Sequence, residues 1–309
     1  MIEVRELSKL YGDRKAVDQI SFEVKRGEIL GFLGQNGAGK TTTMKILTGF
    51  MAASSGTAKV AGFDVFEDQF EVKRRIGYLP EVPPVYEELL VSEYLRFVAE
   101  LRGIPRAERQ RKIDRVVDKC QLGEVKNRLI RNLSKGYRQR IGLGQALIHE
   151  PEVLILDEPT VGLDPRQVAE VRNLIKSMKT DHTVIFSTHI LSEVAAICDR
   201  IIVIDRGKIV AQESLSALGA DGATARTELV VKTASDQLLQ SLKSIRGVKN
   251  VRLYSNGANR IVIESEPDDA IVAEMAKVAV SSGLTRISPV QLALEEYYLG
   301  LISGKRTEI

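Results

Sequence analysis

The sequence between residues 28 and 48 places a glycine-rich loop between a short apolar run and a stretch of helical periodicity. The apolar run is EILGFL, residues 28–33, and Met44, Ile46 and Leu47 fit one face of the helix that follows. The loop between them, GQNGAGKTT, has the spacing G-x-x-x-x-G-K-[ST]. Because this loop follows a strand and opens a helix, the pattern predicts a phosphate-binding loop in an α/β fold rather than a glycine-rich turn with a surface lysine.

The residue types of this loop suit a nucleoside triphosphate. Without Cβ atoms, its glycines let backbone N–H groups turn inward around a phosphate. The helix that begins at Lys40 adds its positive end, the Lys40 ammonium can reach the β and γ phosphates during catalysis, and the Thr41 hydroxyl can ligate Mg²⁺. The predicted nucleotide-binding residues of the loop are Gly34, Gln35, Asn36, Gly37, Ala38, Gly39, Lys40, Thr41 and Thr42.

A second apolar run, VLILDE at residues 153–158, ends in two carboxylates. Four consecutive apolar residues indicate a strand buried on both faces of a parallel sheet, and ligands of such sheets bind at the carboxyl ends of the strands. We expect Asp157 to hold Mg²⁺ and Glu158 to orient and polarise the water that attacks the γ phosphate. The alternative is that both acids cap a turn before Pro159.

A third run, TVIFSTH at residues 183–189, is again apolar and β-branched and ends in a histidine. A lone histidine is more often a satisfied polar residue than a catalytic one. At the end of a strand beside a phosphate loop, His189 is instead predicted to sense the γ phosphate.

The order of five motifs resembles the ATP-binding cassette (ABC) ATPases: GQNGAGKTT, LSKGY, VLILDEP, GLDP and STH. The resemblance covers residues 1 to about 219. It implies a P-loop NTPase cassette, with a RecA-like core and with antiparallel β and α-helical subdomains. It also implies that Tyr11, six residues before Val17, stacks on adenine, with Val17 beside it in the nucleotide site; the alternative for Tyr11 is an ordinary tyrosine at a strand end.

The segment LSKGY, residues 133–137, holds no group that could do chemistry alone. In the family that it resembles, the corresponding segment contacts a nucleotide held by a second cassette packed head to tail. The resemblance therefore implies that Ser134, Gly136 and the start of the following helix bind the partner's γ phosphate. Asp164 in GLDP is similar to the residue that links the two sites. Lys135 and Tyr137 depart from the family pattern.

Glu81 is another departure, because the family has a glutamine in the loop after the strand RIGYLP. A carboxylate can still ligate Mg²⁺, so we expect Glu81 to join Thr41 and Asp157 as metal ligands, but the donor of an amide is lost.

The region between the phosphate loop and LSKGY is expected to face a membrane partner. Residues 81–105 run from a proline-rich loop into a helix with Leu95, Val98 and Ala99 on one face. This apolar groove would receive a cytoplasmic helix of a separate permease. The charged helix at residues 106–120 is read as a solvated face, with a lipid or nucleic-acid patch less favoured, because Glu108 and Asp114 interrupt its basic run.

The pattern changes after residue 219. Residues 220–225 are a predicted linker, and residues 226–309 read as strand, helix, strand, strand, helix, strand, which is the order of a small α+β ferredoxin-like domain. This domain resembles the carboxy-terminal domain of cassettes that serve gliding-motility and multidrug exporters. Tyr297, Tyr298 and Leu301 are expected on a final helix, packed in the core or against a dimer partner rather than on a ligand.

Composition narrows the class of partner. A net charge of +3 from 44 basic and 41 acidic residues gives no reason to expect nucleic acid. The two cysteines, Cys120 and Cys198, lack metal spacing, and no apolar run is long enough to span a membrane. We therefore expect a peripheral protein on the cytoplasmic face of the inner membrane.

The interpretation that combines these features is an ATPase subunit that dimerises, most simply with its own copy, around two MgATP and drives a permease. Export is favoured over import only by the resemblance. The alternatives are an ABC-type ATPase acting on nucleic acid or ribosomes, and a nucleotide sensor without turnover. The first would carry two cassettes, long coiled coils or zinc modules, and the second would lack an acid after Asp157.

Overall fold

The computed structural model describes residues 1–215, 225–255 and 259–289, and the chain divides into two compact units, Met1–Gln212 and Glu213–Ile309. The described strands before residue 216 are β1 (Ile2–Tyr11), β2 (Arg14–Val24), β3 (Ile29–Leu33), β4 (Ser55–Val60), β5 (Phe63–Asp64), β6 (Ile76–Leu79), β7 (Val153–Asp157), β8 (Thr183–Thr188), β9 (Arg200–Asp205) and β10 (Lys208–Ser214). The described α-helices there are α1 (Lys40–Leu47), α2 (Gln69–Arg75), α3 (Val91–Leu101), α4 (Arg106–Lys119), α5 (Lys135–Leu147), α6 (Pro165–Ser177) and α7 (Leu191–Ile197).

A six-stranded sheet with the order β10-β9-β3-β8-β7-β6 forms the centre of the first unit. The strands β6, β7, β8, β3 and β9 run parallel, and every residue of β3, β7 and β8 is buried. This confirms the reading of the three apolar runs as buried parallel strands. Because they run in one direction, the loops after β3, β7 and β8 emerge at the same edge of the sheet.

An antiparallel sheet with the order β2-β1-β4-β5 covers one face of the central sheet. Its inward residues share a core with α1 and with Phe32 and Ile155 of the central strands. Helices α3, α4 and α5 form a helical layer, whose core includes Val116 and Ile141. The prediction that Leu95, Val98 and Ala99 line an open groove for a permease helix is wrong, because the packing of α3 on this core buries all three. The antiparallel β and α-helical subdomains expected of the cassette are therefore both present beside the parallel core.

The second unit contains β11 (Ala225–Val231), α8 (Asp236–Lys243), β12 (Val248–Ser255), β13 (Asn259–Ser265), α9 (Asp269–Val280) and β14 (Leu284–Pro289). Its antiparallel sheet has the order β12-β13-β11-β14. Strand, helix, strand, strand, helix and strand follow one another as the periodicity predicted. A core of its own, including Leu229, Leu242, Ile261 and Met275, packs the two helices on this sheet.

The predicted limits at 219 and 226 differ from the division between Gln212 and Glu213. Most of the predicted linker and the tail residues Tyr297, Tyr298 and Leu301 lie outside the described residues. Across the described ranges, no helix combines the length and the apolar character that crossing a bilayer requires.

A chain that ends at Gly222 tests the independence of the first unit. Because the described core of that unit is complete without the core of the second, the shortened chain should fold and bind ATP with affinity within about threefold of the full chain. Calorimetric titration of both chains measures this. An insoluble product, or one that does not bind ATP, would show that residues after 222 complete the nucleotide-binding unit.

Candidate functional site

The loops at the carboxyl edge of the central sheet enclose a pocket of about 420 Å³. It combines the phosphate loop after β3, Glu158 after β7, His189 after β8 and Glu81 after β6. The lining residues are Tyr11, Arg14, Ala16, Asn36, Gly37, Gly39, Lys40, Thr41, Thr42, Glu81, Glu158, Val161 and His189. The structure thus brings together residues that lie far apart in the sequence, from Tyr11 to His189, as the parallel arrangement of the strands requires.

The conformation of the phosphate loop depends on two of its glycines. Gly37 and Gly39 have φ angles of 81° and 112°, which side-chain-bearing residues rarely adopt. A Cβ atom at Gly39 would also lie 2.6 Å from the carbonyl oxygen of Ala16. The loop therefore keeps its shape only with glycine at these positions, and α1 begins directly after it at Lys40.

Lys40 is buried at the floor of the pocket and forms an ion pair with Glu158. Its side chain is 5% exposed, and its Nζ lies 3.1 Å from Glu158 Oε1. The same Nζ donates hydrogen bonds to the carbonyl oxygens of Gly34, at 2.7 Å, and Gln35, at 3.2 Å. The sequence predicted that both residues serve one site but not that they contact each other.

Glu158 occupies a strained position between two loops. Its φ angle is 48°, in the left-handed region that a residue with a side chain seldom adopts. Its backbone N–H points to Ser187, with distances of 3.1 Å to the carbonyl oxygen and 3.0 Å to Oγ. Its second carboxylate oxygen, Oε2, lies 2.8 Å from Nδ1 of His189. The carboxylate is therefore held between a cation and a solvent-accessible imidazole, which suits a group that accepts a proton.

Asp157 is almost completely buried, and one of its oxygens is left without a partner. Oδ1 accepts a hydrogen bond of 2.5 Å from the Ser187 hydroxyl, whereas Oδ2 has no hydrogen-bond partner among the described residues. Burial raises the pKa of this carboxyl, and the hydroxyls of Ser187 and Thr41 oppose that rise. Burial also raises the pKa of Tyr78, and the charge of Asp157 adds to the effect.

These features fit a magnesium ion. The buried Asp157 carboxylate has an unpartnered oxygen that could ligate a cation, although Asp157 is not among the lining residues of the pocket. Thr41 and Glu81 line the pocket and carry further oxygens suited to Mg²⁺. The described residues contain no cluster of three acidic, histidine or cysteine side chains. Such sparse protein ligation is what Mg²⁺ bound together with substrate phosphates requires.

Of the two residues predicted to lie beside the base, Tyr11 and Val17, only Tyr11 lines the pocket. Tyr11 lines the pocket, 49% exposed, and its hydroxyl lies 3.2 Å from the sulfur of Met51. Val17 is completely buried in the core shared with α1, and its neighbour Ala16 lines the pocket instead. In the loop itself, Ala38 is likewise buried in that core, and Gln35 contributes its carbonyl oxygen to Lys40.

The remaining predicted residues, Ser134, Gly136 and Asp164, are not part of the described lining of the pocket. Ser134 is the N-cap of α5, with its Oγ 3.5 Å from the backbone nitrogen of Tyr137. Asp164 is the N-cap of α6 and accepts a hydrogen bond of 2.9 Å from the backbone of Gln167. Both therefore sit at the starts of helices outside the pocket, where a second molecule could reach them.

Gln139, one turn after Ser134, is a residue that the sequence reading missed. It is 1% exposed, and its Nε2 donates to the carbonyl oxygens of Glu81, at 3.3 Å, and Pro159, at 3.1 Å. The sequence could have indicated Gln139, because it is a glutamine at a position of α5 that faces the core, and a buried amide needs hydrogen-bond partners.

Comparison with known proteins adds to this geometry. The family model described as ABC transporter matches residues 17–161. The bacitracin transport ATP-binding protein BcrA of Bacillus licheniformis is 34% identical over 98% of this chain and 98% of its own length. The chain belongs to the ABC transporter family. The linearmycin resistance ATP-binding protein LnrL of Bacillus subtilis (strain 168) is 34% identical over 82% of both proteins.

The family also appears among solved structures. A structure described as the ATP-binding subunit of an ABC transporter superposes with a TM-score of 0.64 at 30% identity, covering 71% of this chain and 91% of that one. The chain is thus an ABC ATPase subunit, and the cassette fold expected from the motifs is confirmed.

Replacing Asp157 by asparagine tests the metal assignment. Because the pKa of Asp157 is raised in the folded protein, its ionised form opposes folding at neutral pH, and this cost fades as pH falls through the raised pKa. Without metal, the Asp157→Asn protein should therefore resist urea better than wild type at pH 7, with a difference that narrows on acidification. Its hydrolysis of MgATP should fall at least about tenfold.

Asp181→Asn is the matched control, because the pKa of Asp181 is lowered by Lys119 instead of raised. It should not gain stability at pH 7. The metal assignment is wrong if Asp157→Asn hydrolyses MgATP at the wild-type rate.

Proposed function

We propose that this chain is the ATP-hydrolysing subunit of an exporter, that it pairs with a second copy of itself around two MgATP, and that it drives a separate membrane permease. The observation that carries the proposal is the division of the motifs in space. Lys40, Glu158 and His189 meet in one pocket, whereas Ser134 and Gly136 lie outside the described lining of that pocket, which supports a role for them toward a second molecule.

Binding of the triphosphate falls to the phosphate loop and α1. The backbone N–H groups around Gly37 and Gly39 and the N-terminus of α1 face the pocket, and all attract phosphate oxygens. Tyr11 offers its exposed ring to the base at the rim. A magnesium ion, held through Thr41, Asp157 and Glu81, would neutralise charge that develops on the phosphates.

Glu158 is the residue that activates water for hydrolysis. Its ion pair with Lys40 explains how this activity can depend on the bound substrate. Lys40 Nζ lies 3.1 Å from Glu158 Oε1 and pairs with its charge, although Oε1 accepts no hydrogen bond from the described residues. Phosphate oxygens give Lys40 stronger partners, so Glu158 Oε1 becomes free to accept a proton from the attacking water. His189, 2.8 Å from Oε2, keeps the carboxylate oriented and lies where the γ phosphate would be sensed.

The start of α5 supports pairing with a second copy. Gly136 is buried, while Ser134 and Lys135 are exposed, and no acidic side chain occupies the first turn of this helix. The Ser134 hydroxyl, the N–H groups of that turn and the positive end of the helix can therefore bind an anion held by another cassette. Asp164, at the start of α6, lies in the loop that would connect the two sites.

An apolar patch on α3 and the loop before it suits a membrane partner. The permease-facing patch consists of Tyr86, Phe97 and Leu101, which are 53%, 39% and 74% exposed. The rings of Tyr86 and Phe97 pack with centroids 5.4 Å apart. A neighbouring valine, Val82, is 76% exposed. Exposed apolar residues gathered in this way are typical of a protein contact surface.

The direction of transport is inferred from relatives. BcrA is named for bacitracin transport and LnrL for linearmycin resistance, and both names support export of antibiotic-like compounds and a peripheral location on the inner face of the membrane. Action on nucleic acid or ribosomes is not favoured, because the transport relative BcrA spans 98% of the chain.

The Glu158→Gln protein tests the function directly. The amide cannot accept the proton, so phosphate release should fall at least about a hundredfold while ATP binding persists. Size-exclusion chromatography should then show an ATP-dependent dimer. Glu152→Gln is the control and should behave as wild type, because Glu152 is a half-buried glutamate just before β7, at the opposite edge of the sheet. Wild-type turnover in Glu158→Gln would assign the water to another residue.

The Leu101→Asp protein tests the permease-facing patch. Charge on an exposed apolar residue should leave hydrolysis by the isolated protein unchanged within about twofold but prevent its association with the permease. Co-purification of a tagged chain with its permease from detergent-solubilised membranes measures this. Val280→Asp, at a residue of α9 that is 66% exposed, is the matched control. Equal recovery of permease with both variants would contradict the assignment of the patch.

A further inference from the structure

The amide of Gln139 joins the start of α5 to two loops of the nucleotide pocket. Both hydrogens of its Nε2 are used, one toward the carbonyl oxygen of Glu81 at 3.3 Å and one toward that of Pro159 at 3.1 Å. Glu81 lines the pocket, and Pro159 directly follows Glu158. A single side chain therefore connects the helical layer with both the metal side and the catalytic side of the site.

The helix face that carries Gln139 is closely fitted to the loop after β6. Three residues on, a Cβ atom added to Gly142 would be 2.6 Å from Leu79 Cδ1 and 2.8 Å from Pro83 Cβ. Further along α5, the Tyr94 hydroxyl lies within hydrogen-bond distance of two acceptors, Gln145 Oε1 and the carbonyl oxygen of Pro84, the latter at 3.1 Å. With no room for a methyl group between them, α5 and this loop must move together.

The other contact of Gln139 reaches the catalytic carboxylate through one peptide unit. Glu158 has a φ angle of 48°, so its backbone is held in an unfavourable conformation by its neighbours. Ser187 fixes the N–H side of Glu158, and Gln139 fixes the carbonyl of the next residue. Loss of the second restraint would free the Pro159–Thr160 peptide unit, and its movement would pass through Pro159 to the backbone of Glu158 and turn the carboxylate away from Lys40.

The cost of burying this amide argues for a role beyond packing. Its Oε1 is buried and has no hydrogen-bond partner among the described residues. A methionine of similar length would fill the same space without that cost, but it could hold neither carbonyl. The glutamine therefore costs stability relative to a methionine, but it supplies two N–H donors for the carbonyl oxygens of Glu81 and Pro159.

We propose that Gln139 is a positioning residue that makes the orientation of Glu158 depend on the position of α5. The inference rests on the proposed function, in which the first turn of α5 binds the nucleotide of the second copy. Movement of α5 when that nucleotide is present is passed through Gln139 to Glu158 in the other pocket, so hydrolysis at one site follows occupancy of both.

The test compares Gln139→Met with Gln145→Met in the full-length chain. Both remove one amide from α5, but only the first removes a contact with Pro159. For Gln139→Met, kcat should fall about tenfold or more while KM and the affinity for ATP stay within about threefold, because positioning and not binding is lost. The Hill coefficient of hydrolysis against ATP concentration should fall to about 1. Gln145→Met should keep the wild-type kcat and Hill coefficient.

Gln139→Glu serves as a second variant if the methionine protein does not fold. It keeps the volume and polarity of the side chain but turns an oxygen toward the carbonyls, so the same loss of kcat and of cooperativity is expected. An unchanged Hill coefficient, equal effects of Gln139→Met and Gln145→Met, or a loss of ATP binding in place of kcat would each overturn the proposal. Failure of both Gln139 variants to fold would also overturn it, because the amide would then be needed for folding.

Absence of ATP hydrolysis by the wild-type protein would instead reject the proposed function itself.

Discussion

The buried ion pair between Lys40 and Glu158 is the contact on which the organisation of the site depends. Two side chains that are 5% and 8% exposed face each other at 3.1 Å, and burial of either charge alone would be strongly unfavourable. Each comes from a different strand end, so the pair forms only where β3 and β7 deliver their loops to one edge of the parallel sheet. The pair thereby places the cation and the base in contact, at a point where phosphate oxygens can compete for the Lys40 ammonium.

The surrounding structure supports this pair from both sides. Glycines shape the phosphate loop so that α1 starts at Lys40, and Ser187 holds both Asp157 and the backbone of Glu158. The helical layer reaches the same place through Gln139. The phosphate loop, the end of β7 and the helical layer therefore meet at Glu158 and Pro159, and the proposed contact with a second copy would act through the helical layer.

Much of this could be predicted from the sequence because the strands β3, β7 and β8 are continuous apolar runs and parallel strands share an edge. The pattern could not distinguish Ala16 from Val17 in β2, since the register of β1 with β2 shifts and alternation alone does not decide which residue faces the pocket. The partners of Gln139 and of Lys40 also stayed hidden, because periodicity locates a buried position but not the carbonyl or carboxylate that it meets.

Calorimetric titration of MgATP into the full-length protein and its Lys40→Ala variant tests the account most directly. Lys45→Ala, in the same helix, controls for loss of a lysine, and circular dichroism verifies that each protein is folded. The account predicts one ATP bound per chain for wild type and Lys45→Ala, and no measurable binding for Lys40→Ala. Equal affinity of Lys40→Ala and wild type would contradict it, because the buried ammonium would then have no part in holding the phosphates.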